Sequence, residues 1–260
     1  LRDRLIEVYE NQMKEYQVDP WEFRDRYINI ILDRSSENVN KKLAEWIPGQ
    51  LSDEQKSKLL RLLEMQRNTM LMYTSCGWFF DRLSGIETVQ VLQYAARAIQ
   101  LCRVVQGWDL LEDFKQRMQA APCKTLYSSN GRELYEKYVQ PSEINFGRVG
   151  AHFALSSLFE EDGHATAIYC FTAEVKEFQK REAGIQVLTA GQVNVRSNIT
   201  HAAEEFDLAA LYLGGQNLFA ALKPHESTAR YDERRKKLTE AFQRGDNNEV
   251  MRLMNVLYDG

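Results

Sequence analysis

The apolar residues of this chain change period near residue 160, and that change limits the folds open to it. Before it, apolar side chains recur every three or four residues, as on the buried face of a helix. Leu5, Tyr9, Met13 and Tyr16 follow that spacing, as do Leu59, Leu62, Leu63 and Met70. After it, Phe206, Leu208, Ala210 and Tyr212 alternate with their neighbours, the period of a strand. Helical spacing returns with Leu238, Ala241 and Phe242, then with Val250, Leu253, Met254 and Leu257. The order predicts an α+β, mainly α chain. A helical bundle region comes first, then a small, mostly antiparallel sheet between about residues 164 and 223, then two C-terminal helices. We expect a helical domain over 1–160 and a sheet with two terminal helices over 161–260, packed on the first.

Local signals place the helix starts. Asp19 before Pro20 is an N-cap with proline at the first helical position. Ser35 or Ser36 caps the next helix, and Ser52 with Gln55 forms a capping box. Ser84 and Glu87 have the same spacing, so a helix is expected from Gly85. Ile86, Val89, Val91, Leu92, Ala95, Ala96, Ala98 and Ile99 make it apolar nearly all round, which predicts a central, buried helix. Further helices are expected from Asp109, from Asn130 and from Ser142 to about Leu158. Gly214-Gly215 separates two strand-like runs as a hairpin turn, and Pro224 closes the sheet.

A net charge of -4 gives no general attraction to nucleic acid or anionic lipid. No apolar run approaches the roughly 20 residues of a membrane span. The start, Leu1-Arg2-Asp3-Arg4, is charged, already helical in pattern and has no initiator methionine. It reads as the interior of a longer chain, with no secretory signal. The four scattered cysteines, Cys76, Cys102, Cys123 and Cys170, match no zinc spacing and read as reduced thiols of a cytoplasmic protein. His152, His164, His201 and His225 are far apart and read as surface or packed histidines. No dinucleotide, P-loop, metalloprotease or nucleophile-elbow motif is present, so neither cofactor nor metal is expected.

One segment departs from this plain pattern. Trp78, Phe79 and Phe80 follow one another between Gly77 and Asp81, with Glu87 shortly after. A helix or strand buries only some of three consecutive rings on one face. At least one ring turns toward a second layer, a partner or a ligand, unless all three pack in a helix corner. Aromatic faces stack on sugar rings, and carboxylates hold sugar hydroxyls.

The run from Thr74 to Ile99, with Thr-Ser-Cys-Gly-Trp-Phe-Phe-Asp and then Ser-Gly-Ile-Glu-Thr-Val, resembles a family catalogued as domain of unknown function 3536. The likeness continues through Val193-Asn194-Val195-Arg196-Ser197, the Leu211-Tyr212-Leu213-Gly214-Gly215 turn, and the stretch from Phe242 to Met254. That family forms the C-terminal half of bacterial and archaeal proteins similar to glycoside hydrolase family 57. The resemblance implies a (β/α) barrel earlier in the same parent chain, carrying the catalytic Glu and Asp, so no residue here is assigned a catalytic role. It further implies that the helical region packs on the barrel and that its aromatic segment walls a carbohydrate cleft.

The expected function is therefore that of a C-terminal accessory domain, inactive alone, in a parent that is a glycoside hydrolase or glucanotransferase. Trp78, Phe79, Phe80, Asp81 and Glu87 are the candidate substrate-binding residues, and the expected partners are the barrel and an oligo- or polysaccharide. The alternative is a structural or protein-interaction module in which the aromatic corner is all core. A third reading places sugar platforms on the sheet, at Tyr169, Phe171, Phe206 and Tyr212.

Overall fold

A computed structural model describes residues 1–80, 82–123, 128–160 and 166–258, with the side chain of Leu257 excepted. The helices are α1 (Arg2–Met13), α2 (Pro20–Arg26), α3 (Ile28–Leu32), α4 (Ser36–Trp46), α5 (Asp53–Leu71), α6 (Cys76–Phe79), α7 (Ile86–Gln106), α8 (Leu111–Gln119), α9 (Gly131–Leu134) and α10 (Phe146–Ser156). Strands β1 (Thr166–Ile168), β2 (Phe171–Ala183), β3 (Gln186–Ser197), β4 (Ala203–Tyr212) and β5 (Leu218–Pro224) follow. The helices α11 (Thr228–Gln243) and α12 (Asn247–Tyr258) come last. The chain is thus α+β and mainly α.

Several helix starts follow the sequence signals. Asp19 accepts from the backbone of Trp21 and Glu22, with Pro20 opening α2. Ser35, not Ser36, caps α4, and the Ser52–Gln55 capping box on α5 is complete in both directions. Asn130 accepts from Glu133 N, while the Glu133 carboxylate reaches back to Ser129 N. Two starts differ, and a third is placed as expected but capped differently. The N-cap of α7 is Gly85, with no side-chain cap bond, so Ser84 and Glu87 do not form a capping box. Asp109 accepts from Leu111 N, and α8 begins two residues after it. Ser142 closes a 3₁₀ turn by donating to Val139 O, and Asn145 caps α10 instead.

Two compact units result, Leu1–Glu143 and Ile144–Gly260. This division falls before α10, which the sequence reading grouped with the first segment. In the first unit α7 has apolar residues on two sides and joins two cores. Ala98, Leu101 and Cys102 pack with Leu5, Tyr9, Leu59 and Leu63, while Leu92 and Ala96 pack with Leu134, Tyr135 and Val139.

In the second unit the five strands pair in order as an antiparallel meander. Residues 166–172 form β1, a turn at Tyr169 and Cys170, and the start of β2. Strand β2 is 13 residues long and pairs with β3 through a bulge between Val175 and Glu177. Gly214 and Gly215 both take positive φ, which favours glycine, in the turn between β4 and β5. Each sheet face has its own core. Val149, Phe153 and Ala154 of α10 meet Phe171, Val193, Phe206 and Leu208 on one face. Leu238, Phe242, Val250 and Met254 meet Leu188, Ala209 and Leu211 on the other. Within this unit the layers run helix, sheet, helix pair. Among the described residues no helix is long and apolar enough to cross a membrane.

Candidate functional site

The aromatic segment lies between α5 and α7. Tyr73 N and Thr74 N donate to Met70 O and Leu71 O as α5 ends, and Gly77 N donates to Thr74 O. Trp78 N and Phe79 N both donate to Ser75 O, which makes α6 a single turn. Gly77 fixes how α6 sits. A Cβ on it would stand 2.7 Å from Val91 Cγ2, so this side of α6 lies close against α7.

The three rings lie at the surface. Trp78 is 73% exposed, Phe79 71% and Phe80 48%. Phe79 and Phe80 meet edge to face, with centroids 5.2 Å apart. Phe80 has already left the helix for extended backbone. These exposures do not fit a corner packed wholly as core. Met70, Tyr73 and Ile86, close by in the chain, are also exposed. A run of this kind on one stretch of chain is the sort of apolar surface that marks an interaction site.

Of the two candidate carboxylates, Glu87 lies half-buried in the first turn of α7. Its Oε2 sits 2.9 Å from where a Cβ on Gly85 would be, so the side chain folds back over the start of its own helix. There a carboxylate offsets the positive end of the helix dipole. Asp81 lies outside the described residues, as does His164.

The sheet aromatics do not form a platform. Phe171 and Phe206 are buried under α10, and Tyr212 packs edge-on against Phe159 with centroids 5.4 Å apart. Tyr169 alone of the four is strongly exposed, in a turn with φ 53°. Elsewhere in the first unit, Trp108, Phe114, Arg4, Arg117, Asp3 and Asp113 line an open cleft of about 640 Å³, whose lining does not include the three rings. Among the described residues no group of three His, Cys, Asp or Glu could hold a metal ion.

Two buried polar clusters escape a reading of sequence alone. Glu64 on α5 binds Tyr27 and Arg34, and Asp207 on β4 lies beside His225 and Arg234. A signal for the second exists. Leu208, Ala209, Ala210 and Leu211 make β4 apolar on both faces, so an acidic residue just before them is out of place.

The molecule is therefore an α+β chain of two units whose most distinctive surface is an exposed aromatic turn. It belongs to the family described as domain of unknown function 3536, which it matches over residues 1–260. No curated protein and no solved structure gives a significant match.

Proposed function

We propose that this chain is a C-terminal accessory region of a protein similar to glycoside hydrolase family 57. In this reading Trp78, Phe79 and Phe80 form part of the wall of a carbohydrate-binding cleft. Asp81 supplies a hydroxyl acceptor there, and Glu87 supports the loop from the start of α7. The catalytic pair of carboxylates lies on an N-terminal (β/α) barrel of the same parent chain, and this region supplies stacking and water exclusion. The observation that carries the reading is the exposure of three successive rings, Trp78 above all. A soluble chain leaves such rings in water at a cost of roughly 25 cal/mol per Å² of apolar area that a partner or ligand would cover. Sugar faces are suited to them because a pyranose presents C–H groups to a ring and hydroxyls to an adjacent carboxylate.

The test uses the parent protein with its barrel. Trp78→Ala should lower turnover of an α-glucan by about 10–100-fold, as expected when about 1.4–2.8 kcal/mol of transition-state stacking is lost. Its melting temperature should stay close to that of the wild type, because an exposed indole contributes little to the fold. Unchanged turnover per folded molecule would end the proposal. So would inactivity of the parent across a panel of glucans and mannans.

A further inference from the structure

The sheet face under α11 and α12 carries a buried charge. Asp207 has no exposed surface. Its Oδ1 meets His225 Nδ1 at 2.7 Å. Its Oδ2 faces Arg234 Nη1 at 3.4 Å, close enough for an ion pair yet not aligned as a hydrogen bond. Arg234 spends its other donors elsewhere: Nε donates to Arg230 O at 3.2 Å and Nη2 to Glu226 Oε2 at 3.4 Å. The guanidinium carbon lies 5.8 Å from the centre of the Tyr258 ring, and Tyr231 precedes Arg234 by one helical turn. The one-turn spacing on α11 and the ring contact bring these residues into one neighbourhood. Burial pushes both phenols up, with Glu177 and then Asp207 adding to the rise at Tyr231, and Tyr231 and then Asp207 at Tyr258.

Asp207 Oδ2, Arg234 Nη1, Tyr231 OH and Tyr258 OH are buried with no hydrogen-bond partner among the described residues. An orphaned buried donor or acceptor costs about 1–3 kcal/mol, more when charged. Four in one place call for a common partner. A cation would meet Arg234, and an anion would meet Asp207. A molecule that both donates and accepts suits the set, which holds one obligate acceptor, one obligate donor and two hydroxyls able to do either.

We propose that these four groups form a closed site for one bound water molecule. The water accepts from Arg234 Nη1 and one phenol, and donates to Asp207 Oδ2 and the other phenol. Buried waters make about three such bonds and act as part of the structure. This one joins three elements, with Asp207 from β4, Tyr231 and Arg234 from α11, and Tyr258 from the last turn of α12. The site is independent of the aromatic turn.

A crystal structure of the chain tests it directly. Density for one ordered water is expected within hydrogen-bond distance of Asp207 Oδ2, Arg234 Nη1 and at least one phenol. A phenol bonded straight to Asp207 with no density between them would overturn the proposal, as would density that refines as an ion. In solution, oxygen-17 relaxation dispersion should count one fewer long-lived water in the double variant Tyr231→Phe/Tyr258→Phe than in the wild type. An equal count overturns it. Should the double variant fail to fold, the crystal structure of the wild type decides alone.

Discussion

Glu64→Ala should destabilise the helical unit by about 3–5 kcal/mol, the loss expected when one partner of a buried ion pair is removed. Glu64 is 4% exposed on α5. Its Oε1 accepts from Tyr27 OH at 2.6 Å and from Arg34 Nη2 at 2.7 Å, and its Oε2 accepts from Arg67 Nη1 at 3.5 Å. Arg34 Nη1 also donates to Tyr27 OH at 3.1 Å, which closes a ring of three side chains. Burial works against the Arg34 charge, and Tyr27 and Glu64 together outweigh it, so its pKa ends above the ordinary value. Alanine removes the carboxylate that Arg34 and Tyr27 share, and leaves the Tyr27 hydroxyl without its acceptor. Glu64→Gln keeps the shape and one acceptor oxygen, so its loss should be smaller. All four tryptophans, Trp21, Trp46, Trp78 and Trp108, lie within Leu1–Glu143, so indole fluorescence follows this unit. Denaturant titrations read by fluorescence would show the shift. A loss under about 1 kcal/mol would mean that the cluster is worth no more than a surface pair.

The parts of the fold legible in the sequence are those set by neighbours in the chain. Asp19 with Pro20, Ser52 with Gln55, and Asn130 with Glu133 each satisfy helix-end donors within three residues, so spacing alone reveals them. The same locality misleads at Ser84. Ser-x-x-Glu fits a capping box, yet Gly85 takes the extended N-cap geometry one residue later. Ser142 fails for another reason, since its hydroxyl is already used on Val139 O. Most of β2 is hard to read because Glu174, Lys176, Glu177, Lys180 and Arg181 hide its apolar side. The bulge after Val175 then breaks the alternation that would reveal it.

The candidate site divides in the same way. Three adjacent rings announce that one element cannot bury them all, and that much needs no coordinates. That all three lie exposed is set by how the turn between α5 and α7 sits on its neighbours, which no local pattern encodes. The Asp207 cluster depends on residues from one strand and two helices. In sequence it shows only as a misplaced acid in an apolar strand.

Raising the pH above about 10 should unfold the chain, and the helical unit should go first. Burial raises the phenols of Tyr9, Tyr16, Tyr27 and Tyr135 in that unit, Tyr16 to about 12, and those of Tyr231 and Tyr258 in the other. In the unfolded chain these groups ionise near the ordinary value of about 10. Below that pH both states keep the proton, and the burial costs nothing. Above it the unfolded chain has released protons that the folded chain still holds, so stability falls as pH rises. Each buried phenol contributes a slope of about 1.4 kcal/mol per pH unit until its folded pKa is reached. Among the described residues, four such phenols against two make the decline of the helical unit about twice as steep. Within one to two pH units that is comparable with the whole stability of a domain, about 5–15 kcal/mol. Denaturant midpoints at about pH 9, 10 and 11, read by indole fluorescence with tyrosinate absorbance in parallel, would measure it. Tyr27→Phe should flatten the slope of the helical unit by about 1.4 kcal/mol per pH unit once pH exceeds about 10. A midpoint that stays level across the series, with tyrosinate appearing while the indole signal is still native, would show that these phenols ionise inside the fold.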